Sequence, residues 1–109
     1  MTVKDITMEN FEEEVVNSDV PVIIDFFANW CGPCQMMKPV FDKLSGQYEG
    51  KLNFRRLNTE NEEMLAMQFG IQGIPALVVV HKKKEVGRIV GYMGEDQLKA
   101  KIDELLSKI

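Results

Sequence analysis

The chain has 109 residues, 45% of them apolar and 28% charged, the make-up of one globular domain from end to end. At this length folding buries somewhat over ~60% of the surface that the unfolded chain exposes, enough for one core without disulfide or metal staples. The 13 Lys+Arg against 17 Asp+Glu give a net charge of −4, which argues against a nucleic-acid footprint or a general attraction to anionic membrane surfaces.

The start, Met1-Thr2-Val3-Lys4-Asp5-Ile6, lacks the basic region, apolar stretch and small-residue cleavage site of an export signal, so a cytoplasmic protein is expected. The longest apolar stretches, 20–24 and 76–80, fall far short of the ~20 residues of a membrane-spanning helix. Residues 3–6 read as a short strand and roughly 8–17 as a helix. The stretch 20–27, Val-Pro-Val-Ile-Ile-Asp-Phe-Phe, is apolar on both alternating faces, which fits a central strand covered on both sides. From Pro33 onward Met37, Val40, Phe41, Leu44 and Tyr48 recur at helical spacing, and Pro39 inside that run should clash with the Gln35 carbonyl and kink the helix.

Leu52, Phe54 and Arg56 alternate with Asn53, Arg55 and Leu57, a second strand ending near Asn58, after which Thr59-Glu60 could cap a helix running to about Phe69. Two further apolar runs, 76–81 and 85–90, are joined at Lys82-Lys83-Lys84 as an antiparallel hairpin with a solvated turn. Leu98, Ile102, Leu105, Leu106 and Ile109 form one apolar stripe on a terminal helix. The methionines at helical positions, Met36, Met37, Met64 and Met67, read as core or near-core filling. The sum is βαβαβαββα, an α/β chain with a mixed five-stranded sheet and helices on both faces.

The chemistry concentrates in Trp30-Cys31-Gly32-Pro33-Cys34, between the central strand and the helix. A structural disulfide is one reading, but closing a ring of four residues yields only about 2 kcal/mol against about 3 for fifteen. A metal site is another, but tetrahedral zinc wants about four ligands and the other soft candidate is His81, in a strand pattern. A c-type haem needs histidine directly after the second cysteine, where Gln35 stands.

Redox chemistry is the third reading, and position supports it. Cys31 falls just before the first helical turn, where unpaired N–H groups and the positive end of the helix dipole stabilise a thiolate, making it the nucleophile. Cys34, one turn in, should be more buried and able to attack a mixed disulfide formed on Cys31. Pro33 suits the first helical position, where its missing N–H would be unpaired anyway, and with Gly32 it sets the ring geometry. Asp25 breaks the apolar face of the central strand; a carboxylate there is costly to bury and its pKa should be raised.

Trp30-Cys31-Gly32-Pro33-Cys34 resembles the active-site signature of the thioredoxin family, and the likeness extends over nearly the whole chain. Residues 22–26 resemble the family's strand before the motif, Pro39 its helix kink, Gly73-Ile74-Pro75 its cis-proline loop, and Gly91 its glycine before the last helix. The resemblance implies the thioredoxin fold and a protein dithiol–disulfide oxidoreductase without bound cofactor. It implies thioredoxin reductase as electron donor, disulfide-containing proteins as targets, and a monomer that engages neither nucleic acid nor membrane. It implies that Cys31 and Cys34 form the redox disulfide and that Asp25 helps deprotonate Cys34 as a general base. Pro75 is then cis, and Trp30, Ile74, Pro75 and Gly91 line a shallow groove in which the Ile74 backbone pairs with an extended substrate segment.

Arg56 stands where the family usually has lysine; it either pairs with Asp25 while snorkelling outward or faces solvent at the strand end. Phe27 replaces the family's second tryptophan, Gln35 a lysine, Ala76 a threonine and Tyr92 a small residue. Those departures bear on thiol pKa and partner choice. Two rivals remain at this level: an oxidase, isomerase or glutathione-linked relative of the same fold, and a binding module whose groove around Trp30 works without the cysteines. Fold alone decides between neither.

Overall fold

The computed structural model describes residues 3–109; Met1 and Thr2, part of the terminus read for a targeting signal, lie outside them. Five strands form one mixed sheet: β1 (Lys4–Asp5), β2 (Val22–Phe27), β3 (Asn53–Asn58), β4 (Ala76–His81) and β5 (Lys84–Val90), in the spatial order β1-β3-β2-β4-β5. β3 runs parallel to both β1 and β2, whereas β4 pairs antiparallel with β2 and β5 with β4. The helices are α1 (Gly32–Ser45), α2 (Glu63–Gln68) and α3 (Glu95–Leu106).

β2 sits at the centre because both of its faces are apolar. Val22, Ile24 and Phe26 join Leu57, Val78, Val15 and Leu65 on one side, while Ile23 joins Phe54, Leu77, Met37, Phe41, Leu98 and Ile102 on the other. α1 and α3 therefore cover one face and α2 with the N-terminal turn covers the other. Leu98, Ile102 and Leu105 are buried, so the terminal stripe forms as read, except that Ile109 lies past the end of α3 and is exposed.

Several local expectations are corrected. The predicted helix 8–17 is a single π-helical turn, Glu12–Val16, in which the Asn17 N–H reaches back to the Glu12 carbonyl at 2.9 Å. Thr59-Glu60 does not cap α2. The Thr59 N–H and hydroxyl both donate to the Phe27 carbonyl, extending the sheet, and the Asn58 side chain accepts from Glu60 and Asn61 N–H, which delays the helix to Glu63. Lys84 belongs to β5, so the hairpin turn is Lys82-Lys83 alone, both with positive φ, the two-residue geometry that matches strand twist. Pro39 falls inside α1, as its place in the apolar run indicated. Of the methionines read as core filling only Met37 is buried; Met36 is on the outer face of α1, and Met64 and Met67 are exposed because short α2 turns only Leu65 and Ala66 inward.

Candidate active site

The C-terminal end of central β2 delivers the chain into α1, and the cysteines occupy that junction. Cys31 is the N-cap of α1, in extended conformation, and its Sγ accepts the Cys34 N–H at 3.2 Å. A sulfur thus takes the place of the oxygen that usually satisfies an unpaired helix donor. Pro33 sits in the first turn, where it sacrifices no hydrogen bond, and Gly32 opens the helix. Cys31 and Cys34 are joined by a disulfide with their Cα atoms 5.2 Å apart. Cys34 is the more buried residue, 2% exposed against 5% for Cys31, a small margin. Ala28, Phe27 and Ile74 pack around them.

The loop before β4 closes the site from the opposite side. The Ile74–Pro75 bond is cis, and the Ile74 carbonyl oxygen lies 3.9 Å from the Cys31 Sγ. The Pro75 carbonyl accepts the Gly91 N–H at 2.8 Å, and Gly91 has φ +99°, a left-handed region that glycine enters without strain. Trp30 is 72% exposed, which excludes a core role, and its indole N–H donates to Glu60 at 3.1 Å. Ile74 thus meets the disulfide, Pro75 and Gly91 are tied to each other beside it in the chain, and Trp30 directly precedes Cys31. Glu60, which holds the indole, was not anticipated; thirty residues separate the two and no local pattern links them.

Asp25 lies on the face of β2 that α1 covers, 1% exposed, and its Oδ1 has no hydrogen-bond partner among the described residues. Burial pushes its carboxyl up to about 7; Arg56 pulls in the opposite direction and the Asp42 charge adds to the rise. The suggested Asp25–Arg56 pair is not formed, and Arg56 does not face solvent either. Although the two residues are register partners across β2 and β3, the Arg56 guanidinium pairs with Asp42 of α1 at 2.6 Å. The reason is desolvation: Asp42 is partly exposed and meets the guanidinium at lower cost than Asp25, whose ion pair would be wholly buried. His81 ends β4 at the Val22 end of the sheet, opposite the Phe26–Ala76 end that carries the cysteines, so it cannot complete a metal site with them.

A dithiol–disulfide pair at a helix start, faced by the carbonyl that precedes a cis-proline and with a buried acid on the strand that leads into it, is equipped for one exchange, and the class it defines is the dithiol–disulfide oxidoreductases. The thioredoxin family model matches residues 2–104. Thioredoxin 1 of Nostoc sp. is 40% identical over 93% of this chain and 94% of its own length. The Porphyra purpurea thioredoxin is 34% identical over 98% and 100%, and the thioredoxin of Chlorobaculum thiosulfatiphilum 40% identical over 90% and 91%. The chain belongs to the thioredoxin family. Among the described residues no helix is long and apolar enough to cross a membrane.

Proposed function

We propose that this chain is an electron carrier that reduces disulfides in other proteins, with Cys31 as nucleophile and Cys34 as resolving thiol. The observation that carries the reading is the Cys34 N–H directed at the Cys31 Sγ from the first turn of α1, a contact that favours negative charge on that sulfur. The Cys31 thiolate attacks one sulfur of the target disulfide, a mixed disulfide forms, and the other target sulfur leaves as a thiolate. Asp25 takes the proton of the Cys34 thiol, directly or through a water. The Cys34 thiolate then attacks the Cys31 sulfur, the second target thiolate leaves, and two electrons have passed from the chain to the target.

Gly32 and Pro33 tune the pair by fixing the ring, and Trp30, Ile74, Pro75 and Gly91 hold an extended target segment by strand addition to the Ile74 backbone. The electrons reside in the two sulfurs, so no bound cofactor is needed, and a thioredoxin reductase restores the dithiol. Such a reductant suits a reducing compartment, the cytoplasm.

The test is trapping with a disulfide-containing target protein. Cys34→Ser accumulates a mixed disulfide visible on a non-reducing gel and Cys31→Ser does not; trapping by Cys31→Ser alone reverses the roles, and trapping by neither removes the redox reading in favour of a binding module. The reduction potential distinguishes the rival of the same fold: about −270 mV or below marks a reductant, about −180 to −120 mV an isomerase or oxidant.

A further inference from the structure

Arg56 is the cation nearest in register to the buried acid of the site, yet it is engaged elsewhere. Its guanidinium is bound by Asp42 at 2.6 Å, its side chain is 11% exposed, and its Cζ lies 6.0 Å from the ring centroids of Phe27 and Phe41. Two aromatic rings and one carboxylate thus fix a guanidinium that has little water around it. Asp25, its register partner, is left with an unpartnered oxygen. An arginine released from Asp42 would have Asp25 to turn to, since Cα pairing already brings the two residues side by side.

We propose that Asp42 is a positioning residue: by holding Arg56 against α1 it withholds from Asp25 the cation that strand register would supply, and so keeps Asp25 able to take a proton. The groups around Asp25 leave few other candidates. β3 contributes Arg56, and α1 contributes Asp42. Across β4 the register partner is Leu77, and α3 presents Leu98, Ile102 and Leu105 to this side of the sheet. The direction of each electrostatic effect agrees, Arg56 lowering the Asp25 pKa and Asp42 raising it. Asp42 acts in two ways, as a like charge and as a tether, and the second is the larger because an opposite charge within ~4–6 Å lowers a carboxyl pKa by about 1–3 units.

The functional consequence rests on the proposed role of Asp25 as proton acceptor, whereas the geometry does not. The experiment therefore reads both. The Asp25 carboxyl carbon is titrated by NMR in the full chain for wild type, Asp42→Asn, Arg56→Met and the double variant, and the pH profile of target reduction is recorded alongside. Asp42→Asn is expected to lower the Asp25 midpoint by about one pH unit, and at most about half of that shift should survive in the Arg56→Met background. Asp42→Glu, which keeps the carboxylate, should retain the wild-type midpoint and shows that the fold is not at issue. An unmoved midpoint in Asp42→Asn, or an equal shift with and without Arg56, overturns the proposal. A midpoint that moves while the rate profile stays fixed upholds the positioning role of Asp42 and removes Asp25 from proton transfer.

Discussion

Replacing Asp25 by asparagine removes an acid whose ionisation the fold opposes, and the effect on stability follows from the titration. In the unfolded chain the carboxyl loses its proton near 3.8; in the native protein burial holds it until about 7. Between those values the native state binds a proton that the unfolded state has released, so the unfolding free energy falls as pH rises and levels off above about 7. A rise of about three units at 1.36 kcal/mol per unit makes this loss about 4 kcal/mol. Asparagine never ionises, so Asp25→Asn should gain about 4 kcal/mol on wild type between pH 4 and pH 9, over and above any constant offset from its unpaired amide. Other acids titrate with the opposite sign: Glu85, hydrogen-bonded by Arg88, and Asp103, hydrogen-bonded by Tyr48, are both held low. They are common to both proteins and cancel in the difference. Urea unfolding of the disulfide form, followed by far-ultraviolet circular dichroism at intervals from pH 4 to 9, measures it. Parallel profiles for the two proteins would refute the assignment of Asp25 as a buried, unpaired acid.

Glu14→Ala should cost about 3–5 kcal/mol in urea unfolding, because the Arg55 guanidinium, with a side chain 9% exposed, is held by Glu14 at 2.9 Å and would be left buried without its counter-charge. The double variant Glu14→Ala/Arg55→Met should recover most of that loss, and a single-variant cost under about 1 kcal/mol would place Arg55 in contact with water. Two glycines should fail for different reasons. A Cβ on Gly87 would meet Leu105 Cδ2 at 2.5 Å, so Gly87→Ala should cost about 1–3 kcal/mol by overpacking, and Leu105→Val should reduce that cost. A Cβ on Gly91 meets nothing within 4 Å, so Gly91→Ala should cost about 1–2 kcal/mol through backbone strain alone, unaffected by substitution of Leu105. Thermal unfolding of wild type, Leu105→Val and each glycine variant alone and combined with Leu105→Val separates the two.

The parts of the site readable from the sequence are those governed by neighbours along the chain. Cys31, Pro33 and Cys34 act through a helix start that lies within four residues, and Trp30 is exposed because the turn that presents the cysteines also presents it. Arg56 was misread because strand alternation gives the face of a side chain and not its reach. It shares a face with Asp25, but its long stem passes Phe27 and Phe41 to an acid on the helix above. Thr59 looked like a cap because its local context is that of one, and a carbonyl on β2, 32 residues back, claimed it instead.

What the sequence by itself determined is the order of elements, the central place of β2 and the dithiol at the start of α1, because periodicity, breakers and helix-end chemistry act over a few residues. Only the tertiary structure decided which side of the disulfide the Ile74 carbonyl closes, which acid holds Trp30, and that Arg56 serves Asp42 rather than Asp25. Those outcomes depend on how layers stack and on which charged groups keep contact with water, and desolvation is a property of the folded volume that no stretch of chain carries alone.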